Sequence, residues 1–328
     1  MLLSFFSNWA LFLAKTVTLA IAIIGTTAAI LGIAIRQRKT QEMLEISSLN
    51  EKYDGLAEGI AEEVLNKKEL KAFKKEQKKA QKEEDKKPLL YVIKFEGDMA
   101  ASGLKAFREE ISAILNFHRS QDSVLLILES PGGMVHQYGL AAAQLERLRA
   151  ANIHLTVAVD TIAASGGYLM AVVANHIISA PFAVLGSIGV VAQMPNFHRF
   201  LDKHNIDVEL HTAGKYKRTL TMFGENTREG RAKFQEELNE TQTLFKTFVS
   251  RYRPQLDMDK VATGEHWYGE DALPLGLVDS LGTSDAFIQS HLKSHQILML
   301  THTVPERLRK KLSHWLKMGM QALMTRLK

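Results

Sequence analysis

The apolar and polar positions of this chain change rhythm along its length. Thr16–Ile35 (TVTLAIAIIGTTAAILGIAI) runs for 20 residues without a charge. As a helix that is about 30 Å, enough to cross a bilayer core. The reading is an uncleaved transmembrane anchor within residues 1–39. A cleaved signal peptide is the alternative. Against it, no basic side chain precedes Lys15, the apolar run is long for such a segment, and no clear cleavage site precedes Arg36. Residues 40–87 turn polar. KKELKAFKKEQKKAQKEEDKK mixes Lys and Glu with almost no apolar positions, as in a solvated helix or mobile tether.

Apolar order resumes at Pro88. LLYVIKF and SVLLILES read as buried strands, and HLTVAVD as a third. Between them SGLKAFREEISAILNFH and MVHQYGLAAAQLERLRA carry apolar residues at helical spacing. GGYLMAVVANH reads as a further helix leading into IISAP. Strands alternating with helices predict an α/β fold with mostly parallel strands. Sites in such folds lie at the C-terminal ends of strands. Two Gly-rich turns, at 130–133 and 165–167, fall at such ends. Residues 296–328 change character again. From Pro305, the apolar Leu308, Leu312, Trp315, Leu316, Leu323 and Leu327 recur at helical spacing among Arg307, Arg309, Lys310, Lys311, Lys317 and Arg326. That is the pattern of a basic amphipathic helix, lying at a membrane interface or packed on protein.

Composition adds two limits. The chain has no cysteine, which excludes disulfides, thiol nucleophiles and Cys-ligated zinc. Positive charge follows the anchor at Arg36, Arg38 and Lys39, against Lys15 alone before it, so the positive-inside rule puts the C-terminal bulk in the cytoplasm. Acidic residues interleave the lysines of the tether and aromatics are scarce there, so nucleic acid is not an expected partner.

The chemistry centres on Ala164-Ser165-Gly166-Gly167-Tyr168. A serine at a strand-to-helix turn sits where the helix dipole and free amides favour negative charge. Alone, it reads equally as a helix N-cap. Ser130-Pro131-Gly132-Gly133 changes the balance, because a second Gly-rich turn at a neighbouring strand end can supply amide donors to an oxyanion. Among bases, histidine and lysine both remain open on residue type alone. The 12 histidines include His136, His154, His176, His198, His204 and His211. Gly264-Glu265-His266 lacks a second histidine at metal spacing, so no metal is expected, and no phosphate-binding G-x-x-x-x-G-K-[ST] element occurs.

ESPGG, AASGGYLMA, GSIGVV and GEHWYGEDALPLGLVD, in this order, resemble the signal peptide peptidase A family of serine peptidases over residues 88–295. The anchor and charged segment make the SohB-type inner-membrane peptidases the nearest pattern. The resemblance implies a ClpP/crotonase-like spiral of ββα units behind an N-terminal transmembrane helix, with no cofactor. It implies Ser165 as nucleophile. From Ala213-Gly214-Lys215-Tyr216-Lys217 it implies Lys217 as general base, with Lys215 the internal competitor. It implies Ser187 as the lysine-orienting serine, and Gly132, Gly133 and Gly166 as the oxyanion donors. A lysine base must lose about 3 pKa units, or about 4 kcal/mol, to act near neutrality, and burial supplies shifts of that size.

The function implied is an ATP-independent, single-pass endopeptidase of the bacterial inner membrane. Its implied substrates are peptides such as signal-peptide remnants or segments of damaged membrane proteins. The implied assembly is a homo-oligomer whose dyad can be completed between subunits. Two other classes compete: a crotonase-like acyl-thioester hydratase or hydrolase, which needs no Ser165–Lys217 pair, and a non-catalytic membrane scaffold.

Overall fold

A computed structural model describes residues 43–84 and 87–303, together with Lys15 and Thr18. The expected anchor, apart from Thr18, and the basic segment from Pro305 to Lys328 lie outside these residues. Among the described residues no helix is long and apolar enough to cross a membrane. By its contacts the chain divides into a unit spanning Leu44–His302 and a second made of its two ends, almost all of it outside the described residues.

The frame of the larger unit comes from strands β2 (Leu89–Glu96), β3 (Ser123–Glu129) and β4 (His154–Val159). They pair in parallel, with Tyr91 beside Val124 and Val124 beside Leu155. Successive side chains point to opposite faces. Tyr91, Ile93, Phe95, Leu126 and Leu128 meet one core, while Leu90, Val92 and Leu125 meet another. Both faces are covered, which is why these strands are apolar throughout rather than alternating. Helices α3 (Leu104–Phe117) and α4 (Val135–Ala150) cover the first face. Their sequences fit: Leu104, Phe107, Ile111 and Ile114, and Tyr138, Ala141, Ala142, Leu145 and Leu148, make buried stripes at i, i+3, i+4 spacing. Leu49 and Ile288 pack on the second face, where Ile297 joins the cluster from within the sheet.

The sheet is wider than the sequence suggests. Its seven strands run β1 (Met43–Ser48), β10 (Gln296–Thr303), β2, β3, β4, β6 (His176–Ser179), β9 (Ser280–Leu281). Residues 40–87, expected as a tether, therefore contribute an edge strand, and Gln296–Thr303, expected beyond the domain, is an inner strand paired with β2. Helices α1 (Leu49–Val64) and α2 (Lys67–Glu84) follow β1. Lys74 of α2 bonds Glu62 at 2.8 Å and also pairs with Glu58, tying the two helices together. Lys67, Lys68, Lys71, Lys75, Lys78 and Lys79 are exposed. At roughly 100° per residue they fall within about 120° of the helix circumference, with Glu69 and Glu76 outside that arc.

A second sheet of three short strands, β5 (Ile162–Ala164), β7 (Val184–Gly186) and β8 (His266–Tyr268), stands beside the first. A single bridge, Ser130 to Ala163, links them. Helix α7 (Arg228–Tyr252) is anchored at its C-terminal end, where Arg253 makes two 2.7 Å hydrogen bonds to Asp279. Asp279 also accepts the Ile177 amide at 2.7 Å. Burial alone pushes this carboxyl up, but the Arg253 and Ile177 donors outweigh it and hold it below its ordinary value.

Asp279→Asn leaves a nearly buried guanidinium without its anion and should destabilise the fold by about 3–5 kcal/mol at neutral pH. Because the folded pKa is depressed, the wild-type advantage is full above about pH 4. It is lost as pH falls through the folded value. Urea unfolding at pH 7 and pH 3 should show the gap between the two proteins narrowing in acid. A gap independent of pH would contradict the assignment.

Candidate active site

Strands β5 and β7 pair in parallel with Ala164 opposite Gly186. Each strand is followed at once by a serine with positive φ, Ser165 and Ser187, both at 50°. Such backbone is unfavourable for a residue with a side chain and persists only where its surroundings enforce it. At Ser165 the enforcement is visible. Its N–H donates to the Gly186 carbonyl at 2.8 Å, and its carbonyl accepts the Leu169 N–H at 2.9 Å. With ψ at −117° the serine turns sharply from β5 into helix α5 (Gly166–Ala171). That strand–turn–helix geometry resembles a nucleophile elbow. Ser165 occupies the N-cap position, yet its side chain makes no capping hydrogen bond, so the bland N-cap reading does not account for it. The β5–β7 register sets Ser187 beside it, with the Ser187 N–H held by the Glu265 carbonyl at 2.7 Å.

The second turn lies against the first. Gly132 has φ +90°, and a Cβ there would sit 2.7 Å from the Gly166 nitrogen and 2.8 Å from the Ser165 Cβ. Only glycine permits both the conformation and the approach. A Cβ at Gly166 would collide with the Tyr138 ring. The three glycine amides differ in what they do. Gly132 N–H donates to Ser130 Oγ at 3.1 Å. The Gly133 N–H, and the Gly166 N–H at the first position of α5, have no acceptor among the described residues. Of the three, Gly133 and Gly166 are thus the ones whose N–H groups stay unengaged among the described residues.

Lys217 stands apart from this cluster. It is exposed, in the irregular segment between α6 (His198–Lys203) and α7, and its backbone N–H closes a turn onto the Gly214 carbonyl at 3.1 Å. Its ammonium makes no hydrogen bond or ion pair among the described residues. Lys215 is engaged differently: it pairs with Glu229 at 3.0 Å and lies 5.0 Å from the Tyr216 ring centroid. The Tyr216 hydroxyl and the Glu229 carboxylate push its pKa up, which keeps it protonated and unsuited to accept a proton. The stretch from residue 190 to Lys217 leaves Val191, Phe200, Ile206 and Leu210 exposed, Val191 at 90%.

Among the described residues no histidine hydrogen-bonds to Ser165. His211 pairs with Glu209, His204 bonds the Phe200 carbonyl, and His176 bonds Ser280. His136, His154 and His198 make no side-chain hydrogen bond there either. The sequence reading missed Ser130 and Tyr138, whose hydroxyls meet at 2.6 Å beneath the Gly132 turn. A tyrosine among the alanines of α4 was the available signal.

Residues 4–145 match the family described as peptidase family S49 N-terminal, and residues 147–297 match peptidase family S49. The chain belongs to peptidase family S49. Among its S49 relatives is a probable protease SohB of Haemophilus influenzae, 59% identical over 70% of this chain and 65% of that one. A probable protease SohB of Buchnera aphidicola subsp. Schlechtendalia chinensis is 49% identical over 88% of this chain and all of its own length. Within S49 the chain is thus of the signal peptide peptidase A, SohB type, a family of proteases. A solved membrane-bound stomatin-specific protease, a lysine-to-alanine mutant in complex with a substrate peptide, matches at 12% identity and TM-score 0.43 over 70% of this chain and 99% of its own.

Proposed function

We propose that this S49 chain is a serine endopeptidase in which Ser165 attacks the peptide carbonyl. The observation that carries the reading is Ser165 itself: a strained strand-to-helix turn, an Oγ free of internal bonds, and two unclaimed amides alongside. In the step proposed, neutral Lys217 takes the Ser165 proton as Oγ bonds to the carbonyl carbon. The carbonyl oxygen takes up negative charge before the Gly133 and Gly166 N–H groups. The resulting ammonium then gives its proton to the leaving amine as the C–N bond breaks. Ser187, beside Ser165, orients the lysine. Water resolves the acyl-enzyme by the same path.

Lys217 reaches Ser165 from a second copy of the chain in this reading. Its exposed position and the apolar residues around it support that, because docking another subunit buries both. Burial there also disfavours the charged ammonium, as a base requires. The core is read as the spiral of ββα units, which the pairing of a large sheet with a smaller β5–β7–β8 sheet supports. Substrates are read as extended peptides with apolar side chains, from signal-peptide remnants or damaged membrane proteins. The exposed Met99, Met134 and Val135 next to Gly133 support an apolar subsite. Inhibition by a fluorophosphonate in proportion to loss of peptide hydrolysis tests the serine mechanism. Hydrolysis unaffected by stoichiometric phosphonylation would refute it.

The anchor reading places the chain in the bacterial inner membrane, spanning it once through Thr16–Ile35, with the catalytic unit on the cytoplasmic side. The exposed lysine face of α2 supports a position beside anionic lipid, since clustered lysines near a membrane are attracted to its headgroups. An alkaline phosphatase fusion at residue 90 should be inactive in cells. High activity would place the unit on the other side.

A further inference from the structure

We propose that Ser130 and Tyr138 are positioning residues of the oxyanion site: they form a one-way hydrogen-bond relay that fixes the Gly132–Gly133 turn against Gly166. The proposal rests on the reading of Ser165 as nucleophile.

The direction of the relay follows from counting protons. The Tyr138 hydroxyl carries one, and it lies 2.8 Å from the Asp98 carbonyl, which can only accept. The proton therefore points at Asp98. At its 2.6 Å contact with Ser130 Oγ, Tyr138 must accept and Ser130 must donate. With its own proton committed, Ser130 Oγ accepts the Gly132 N–H at 3.1 Å. The relay thus runs from the Gly132 amide through Ser130 and Tyr138 to the Asp98 carbonyl, and every donor has one acceptor. Both side chains are fully buried, so bulk water does not compete for either hydroxyl, and removing one strands its partner's polar group.

Two further contacts give the relay a catalytic consequence. The Tyr138 ring packs directly under Gly166, the residue that supplies the other unclaimed amide. One side chain therefore supports both halves of the oxyanion site, through its hydroxyl on one side and its ring on the other. The Asp98 end is fixed too. Gly97 N–H donates to the Glu129 carbonyl at 2.8 Å, and Met134 N–H donates to the Met99 carbonyl at 2.9 Å, so the Gly97–Met99 loop grips the far end of the same turn. Holding the Gly132 amide inward leaves the Gly133 amide as the turn's free donor. Catalysis of this kind depends on donors fixed before the charge develops. A buried Ser–Tyr bond that only stabilised the fold would carry no such consequence.

The test compares the full-length wild type, Ser130→Ala, Tyr138→Phe and the double variant. Rates are expressed per active site titrated with a fluorophosphonate. Each single variant should lower kcat about tenfold with KM within about twofold, as expected when donors aimed at the transition state are displaced. The double variant should fall about as far as either single one, because the two hydroxyls act as a unit. A peptide aldehyde, whose adduct places an oxygen at the oxyanion position, should bind more weakly by the same factor, while a product peptide binds unchanged. Unchanged kcat per titrated site and unchanged aldehyde affinity, with only a lowered melting temperature, would overturn the relay and leave a packing role. If Tyr138→Phe does not fold, Ser130→Ala decides by the same criteria. A wild type that takes no fluorophosphonate label at all would instead sink the peptidase reading beneath it.

Discussion

Ser165→Ala should reduce peptide hydrolysis by at least about a thousandfold, to the level that binding and amide donors alone sustain. The reason is local. Ser187, the nearest hydroxyl by strand register, follows a separate strand end, and its amide is turned to Glu265 rather than to the Gly132 turn. Ser130 Oγ is buried and already spends its proton on Tyr138. Neither can replace an Oγ held on the turn that starts α5. The substitution removes one oxygen and no internal hydrogen bond, so the melting temperature should stay within a few degrees. Loss of folding together with loss of activity would mean that the serine is structural. Steady-state hydrolysis of a fluorogenic peptide, with thermal unfolding alongside, separates the two outcomes.

Lys217→Met should lose a comparable share of activity, and Lys217→Arg should not recover it, because a guanidinium stays protonated. Lys215→Met should remain active, since Lys215 is held charged by Tyr216 and Glu229. The larger effect is expected on mixing. Each subunit is proposed to give its lysine to a neighbour's serine. Assemblies formed from Ser165→Ala and Lys217→Met chains together then contain sites with an intact serine from one and an intact lysine from the other. Two inactive proteins, dissociated and reassembled as a mixture, should recover a substantial fraction of wild-type activity. No recovery, in mixtures shown to exchange subunits, would place the dyad within one chain. A dead His198→Ala or His211→Ala beside an active Lys217→Met would replace lysine by histidine.

The parts of the fold that could be read from sequence are those whose burial is written in long runs. Leu89–Glu96 and Ser123–Glu129 are apolar on both faces because cores lie on both sides. The helical stripes of α3 and α4 were equally plain. The three-residue strands β5, β7 and β8 are too short to show a period, so the second sheet that pairs Ala164 with Gly186 was invisible. Met43–Ser48 sits next to a charged stretch whose composition dominated the reading, although it forms a sheet edge. Gln296–Thr303 was grouped with the basic segment beyond it, yet QILM pairs residue by residue with β2.

In the candidate site, glycines announced both turns because their neighbours leave no room for a Cβ. That Gly132 spends its amide inward was not legible, because it depends on Tyr138 arriving from α4. The surroundings of Lys217 were not legible either: it lies exposed in an irregular segment with no strand or helix period to place it.

The central claim is that Ser165 is the nucleophile and owes its reactivity to Lys217. Peptide mapping after reaction with a fluorophosphonate tests it most directly, on the wild type and on Lys217→Met. The account predicts one adduct, on the peptide that carries Ser165, forming far more slowly in Lys217→Met than in the wild type. An adduct on any other residue, or equal labelling of Ser165 with and without Lys217, would contradict it.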